Sequence, residues 1–106
     1  MDRPERAEGP INEALRLAPD HADAWHQRGM LYLAWGKYEA ALSDFEAAIR
    51  ADGNNLDARL QAAAIHHVSK NLEKASAAWR GVLALEPDHP LARQRLQDCE
   101  QHLAAL

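Results

Sequence analysis

The sequence holds one cysteine, Cys99, and so no second thiol with which to close a disulfide within the chain. A lone cysteine fits a reducing compartment, and a cytoplasmic setting is expected on that ground. Aromatic residues are few, three Trp, two Tyr and one Phe, so the core must lean on aliphatic side chains and alanine. There is no surplus of positive charge either: 12 Lys and Arg stand against 16 Asp and Glu, a formal net charge of −4. Without a basic footprint, neither nucleic acid nor a membrane surface is an expected partner. No apolar run reaches the roughly twenty residues that a bilayer crossing needs. The polar start, MDRPERAEGP, does not read as a signal peptide.

Catalytic and metal-binding signatures are missing as well. Ser43, Ser69 and Ser76 lie outside any G-x-S-x-G setting, and nothing around Cys99 would activate a thiolate. Cys99 therefore reads as a small buried hydrophobe. The adjacent His66 and His67 point about 100° apart on a helix and cannot chelate together. His26 and His67 are seven residues out of phase, roughly 10 Å along a helix axis, while His21 and His89 belong to turns. Carboxylates gather at helix starts (Asp20, Asp23, Asp57, Asp88), where negative charge suits the helix dipole. No enzyme activity, cofactor or metal is expected.

What the chain does have is a period. Shifted by 34 positions it realigns on itself without a gap: Ala24 meets Ala58 and Ala92, Ala41 meets Ala75, Phe45 meets Trp79, and Ile49 meets Leu83. Gly36 and Lys37 meet Lys70 and Asn71, and the turns PDH, GNN and PDH fall at 19–21, 53–55 and 87–89. The punctuation divides each unit into two helices, predicted at about 22–35, 38–51, 56–69, 72–85 and 90–104. Candidate caps are Asp20 or His21, Asn54 or Asn55, and Asp88 or His89, with Pro90 suited to a first helical position. A shorter helix covers about 10–18, and Gly9-Pro10 is expected to interrupt anything earlier. No segment alternates as a strand would, so the fold class is all-α.

The residues of the unit carry a resemblance. Trp25-x2-Arg28-Gly29-x2-Tyr32, then Ala41-x3-Phe45, then Gly53, resembles the tetratricopeptide repeat pattern of W-x2-L-G-x2-Y, A-x3-F and P. The second unit is looser: Arg59, Ala62-Ala63, His66, Ala75-x3-Trp79 and Pro87. Ala7, Ile11, Ala14 and Pro19 are in phase with a second helix, and 90–106 matches a first helix. The boundaries read as a half repeat over 1–21, repeats over 22–55 and 56–89, and a capping helix over 90–106, in one domain. The resemblance implies a right-handed α-α superhelix of antiparallel helix pairs. It also implies that Gly29, Ala41 and Ala48 sit where paired helices approach most closely, with Trp25, Tyr32 and Phe45 filling the wider gaps.

Departures from the pattern carry two readings. Arg28 replaces an apolar residue, and Arg59 and His66 replace a tryptophan and a tyrosine. Either their stems cover apolar surface while the charges reach water, or they meet a ligand or another subunit. Trp35 either folds over Tyr38 or serves as an exposed anchor. The last helix turns Ala92, Leu96, Cys99 and Leu103 inward and polar residues outward, as a solenoid cap must. At the other end Ile11 and Leu15 are expected to be poorly covered.

The function that the resemblance implies is non-catalytic: a protein-interaction module, part of a scaffold or adaptor, receiving a peptide in a concave groove. The groove positions carried over are Asp23, His26, Met30 and Leu33, then Asp57, Leu60, Ala64 and His67, then Leu91, Gln94 and Asp98. His26 and Met30 fall where a lysine and an asparagine would be wanted to clamp a chain-terminal carboxylate, which disfavours that ligand. The rival expectation is structural, a homo-oligomer assembled through the solenoid ends.

Overall fold

The computed structural model describes residues 4–106, with side chains from Glu8 onward. Six helices follow one another: α1 (Pro4–Leu17), α2 (Ala22–Ala34), α3 (Tyr38–Ala51), α4 (Leu56–Val68), α5 (Leu72–Leu85) and α6 (Pro90–Ala104). Among the described residues there is no strand, and no helix is long and apolar enough to cross a membrane. The period survives into the coordinates: α1, α3 and α5 begin 34 residues apart, as do α2, α4 and α6. The chain clusters into two units, Met1–Ala58 and Arg59–Leu106, the boundary falling inside α4.

Local chemistry explains the starts of α2, α4 and α6 and the ends of α2 and α4. His21 Nδ1 accepts from the Ala24 N–H (3.2 Å), Asn55 Oδ1 from Ala58 (3.0 Å) and His89 Nδ1 from Ala92 (3.2 Å). Each bond satisfies an amide that the first turn leaves without an intrahelical partner. In both cap histidines Nδ1 is the acceptor, so a neutral ring carries its proton on Nε2. At the far end of α2 the chain turns left-handed at Gly36 (φ 78°), and at the same place in the next unit it does so at Lys70 (φ 61°). Gly36 donates to the Leu33 carbonyl and Lys37 to that of Tyr32; Lys70 and Asn71 repeat this toward His67 and His66. That paired bonding is a Schellman closure, natural for glycine and strained for lysine.

Two expectations need correction here. Gly9-Pro10 does not interrupt the first helix, which runs from Pro4 through both residues. Both residues are exposed, and α1 is held by its packing against α2. Nor is Leu15 uncovered: it is 7% exposed, and α1 packs against α2. Ile11 keeps part of its surface, and Leu17, the last residue of α1, is exposed.

In unit 1, α2 packs against both α1 and α3. Its core is Leu15, Ala24, Ala41, Phe45, Ala47 and Ala48, and Gly29 is buried among the backbones. A Cβ added to Gly29 would stand 2.8 Å from Phe45 Cε1, inside van der Waals contact. Phe45 is fully buried, so its ring has nowhere to retreat. In unit 2, α6 packs on α5, and Ala62, Ala63, Ile65, Ala75, Trp79, Val82, Ala92 and Cys99 are buried. The cap stripe behaves as expected: Ala92 and Cys99 are inaccessible, and Leu96 and Leu103 are half-buried. Burying a ring such as Phe45 or Trp79 stabilises the fold by about 2–3 kcal/mol relative to exposure.

Two measurements follow from these geometries. Gly29→Leu is expected to lower stability by about 1–3 kcal/mol through overpacking, and an unchanged thermal midpoint would contradict the close approach. Lys70→Gly is expected to add about 0.5 kcal/mol, because relief of the left-handed backbone exceeds the entropy that glycine gives the unfolded chain. Gly36→Lys should move the midpoint the other way.

Candidate functional site

The predicted groove residues occupy matching phases of the first helices. Asp23, His26, Met30 and Leu33 share one stripe of α2, because spacings of three, four and three residues return to the same side. Leu60, Ala64 and His67 do the same on α4, and Leu91, Gln94 and Asp98 on α6. None of the eleven predicted residues is buried. The neighbouring alanines Ala24, Ala58 and Ala92 are 4%, 0% and 0% exposed, so helix phase separates core from surface here. Met30 and Leu91 stand out as large apolar side chains left 39% and 46% exposed.

Within unit 1 the His26 ring nitrogen Nε2 is bonded to Asp57 Oδ2, which joins two predicted residues from α2 and the start of α4. The other side of that ring lies against Phe45, with centroids 5.8 Å apart. His26 therefore links the core ring that fixes α2 to a carboxylate at the surface. Within unit 2, His67 Nδ1 accepts from the Trp79 indole N–H at 3.3 Å, with Cys99 Sγ 3.5 Å away. Since indole only donates, Nδ1 must present its lone pair and the neutral ring is protonated on Nε2. His67 and Asp98 also line one open depression of about 480 Å³ with Gln101, His102 and Ala105. Asp98 is itself held by Gln94 Nε2 (3.0 Å) and Arg95 (3.4 Å).

A family model described as tetratricopeptide repeat matches residues 2–66. The chain belongs to the tetratricopeptide repeat family. A TPR repeat-containing protein of Rhizobium etli is 29% identical over 94 residues, which is 89% of this chain and 46% of that protein. The second TPR domain of human RPAP3, solved with the HSP70 peptide SGPTIEEVD, is 28% identical with a TM-score of 0.78. The match covers 92% of this chain and 81% of that one. The first TPR of Spaghetti (RPAP3), bound to the HSP90 peptide SRMEEVD, has a TM-score of 0.79 at 24% identity, over 95% and 82% of the two chains. The chain spans less than half the length of the curated relatives it matches. Its fold is the all-α tetratricopeptide fold.

Against the repeat pattern, Arg28 is where sequence reasoning fails. Its charge is engaged by other side chains of the same unit rather than left open to water or a ligand. Nε and Nη2 each bond an oxygen of Asp44 at 2.9 Å, Nη1 bonds Asn12 Oδ1 at 2.9 Å, and the guanidinium lies over the Trp25 and Tyr32 rings. Asp44 is only 3% exposed, and its hydrogen bond holds the Arg28 guanidinium above its usual range. Tyr32 in turn donates to Glu8 at 2.7 Å, and that bond, followed by burial, pushes its hydroxyl pKa up. Helices α1, α2 and α3 are thus tied by one polar cluster. The signal that could have found it is the period itself: residues 28 and 44 correspond to Ala62 and Ala78, an alanine pair exchanged for a charge pair.

The other departures are also structural. Arg59 packs against α5, its Nη1 2.9 Å from where a Gly81 Cβ would stand, and His66 is buried. Trp35 stacks on Tyr32 (6.2 Å, 15°) rather than on Tyr38, because the ring turns back along its own helix, and Lys37 Nζ covers its face at 4.4 Å. Burial pushes the Cys99 thiol up, which opposes formation of a thiolate nucleophile. Among the described residues no three His, Cys, Asp or Glu side chains are placed to hold a metal ion.

Removing one member of the buried pair should cost more than removing both. Arg28→Met is expected to lose about 3 kcal/mol by leaving Asp44 without its partner. Adding Asp44→Ala should recover at least half of that loss in chemical denaturation. A loss in the double variant equal to the sum of the two single losses would mean that the pair contributes no coupling.

Proposed function

We propose that this chain is a non-catalytic module that docks a peptide segment of a partner protein, serving within a scaffold or adaptor. The observation that carries the reading is the phase of the first helices. In all three, the stripe beside the buried alanines keeps part of its surface, and it mixes apolar side chains (Met30, Leu60, Leu91) with polar ones. A mixed stripe of this kind buries an aliphatic side chain of a ligand while hydrogen bonding sets its direction. Met30 adds a side chain that adapts its shape to different partners. The RPAP3 domain, a relative in fold and partly in sequence, holds a peptide, which supports the same use here.

Self-assembly through the ends draws less support, since Leu15, expected to lie open at the incomplete edge, is covered. The chemistry of the site also argues for binding over reaction. His67 is engaged by Trp79 and Cys99, the Cys99 thiol is buried, and Arg28 is committed to Asp44.

The test is selection of a displayed random-peptide library on the immobilised chain, followed by affinity measurement on recovered peptides. Met30→Glu and Leu60→Glu are each expected to weaken binding by about 10–100-fold, the equivalent of losing one apolar contact. Helicity by circular dichroism should be unchanged. Binding that survives both substitutions would overturn the assignment of these stripes.

A further inference from the structure

Charge is distributed unevenly along the chain. Residues 1–58 carry eleven Asp and Glu against six Lys and Arg, whereas residues 59–106 carry five against six. The acidic excess therefore belongs to unit 1, and the α2 stripe shares in it. That stripe and its neighbour Asp57 present two exposed carboxylates, Asp23 and Asp57. Arg28, the one Lys or Arg carried by α2, is turned inward to Asp44. Arg16 is paired with Glu13, and Lys37 lies on Trp35. A ligand approaching this face meets negative charge around an apolar centre.

The geometry sets what such a ligand must carry. Asp57 is bonded to His26, and Met30 stands four residues on from His26, about 6 Å along the axis. A carboxylate accepts more than one hydrogen bond, so Asp57 can hold His26 and still receive a cation. A lysine or arginine stem laid along Met30 would bring its charged end to that carboxylate while covering the exposed thioether. An acidic chain end of the kind in SRMEEVD or SGPTIEEVD would instead meet like charge.

We infer that the α2 face of unit 1 selects a basic segment with aliphatic flanks, lysine or arginine beside a leucine-like residue, rather than an acidic chain terminus. The inference rests on the peptide-docking reading and adds the chemistry of the peptide. Interaction between exposed charges is screened by salt, so the preference is strongest in dilute buffer.

The experiment selects a random-peptide library on the full chain in low salt and counts charge in the recovered pool. A Lys–Leu peptide from that pool is then compared with its Glu–Leu twin by fluorescence anisotropy. The expected result is a pool enriched in Lys and Arg, with the lysine peptide bound about tenfold more tightly and the gap closing at high salt. The joint variant Asp23→Asn, Asp57→Asn should remove most of that gap. Glu39→Gln, an exposed acid on α3 away from the stripe, should leave it unchanged. A neutral or acidic pool overturns the inference, as does an equal effect of Glu39→Gln, which would assign the preference to bulk charge. If acidic peptides are captured and Met30→Glu releases them, the docking reading stands while the basic-ligand inference falls. If no peptide is captured, both fall.

Discussion

The edge of one phenyl ring against a stretch of bare backbone sets the spacing of the first unit. Phe45 occupies the space that a side chain at residue 29 would need, and its own accessible surface is zero. Helices α2 and α3 can approach that closely only because glycine leaves the way open. Much else depends on this approach. The His26 ring rests on Phe45 and carries the contact out to Asp57, so the register of the core fixes where a surface carboxylate stands. Packing within the unit and chemistry on its face are therefore consecutive links of one chain of contacts.

A period of 34 residues made most of the fold legible before any coordinates. Caps, turns and core alanines recur at fixed offsets because each repeat solves the same problem, the satisfaction of the same first-turn amides and last-turn carbonyls. Legibility failed where a residue acts through a partner far away in sequence. Pro10 reads locally as a breaker, yet α1 runs through it and packs against α2. Trp35 has Tyr38 as its neighbour beyond the turn, but the ring that it meets is Tyr32, one turn back on its own helix.

Arg28 and Asp44 show the same limit more sharply. They lie sixteen residues apart on different helices, so no helical spacing brings them together on paper. Each alone looks like an error in an apolar position. Together they replace an alanine pair of the next unit with a bidentate ion pair, braced by Asn12 and by two aromatic faces. Burying such a pair is close to neutral in energy beside an apolar one, but breaking it is costly. Its consequence is geometric: α1, α2 and α3 are locked by directional bonds, where alanine contacts would allow small slides.

That commitment also shapes what the surface can say to a partner. A repeat pattern fixes which positions face inward, since packing there tolerates few side chains. It leaves the exposed phase free to vary, and so the stripe at 23, 26, 30 and 33 was locatable from the sequence while its chemistry was not. The structure supplies the missing step by showing which charges are already used. With Arg28 engaged by Asp44 and Lys37 by an aromatic face, the positive charges nearest the stripe in sequence are occupied, and the carboxylates that remain define its sign. Under the proposal that this face takes a basic segment, an internal contact thus bears on the choice of ligand without touching it.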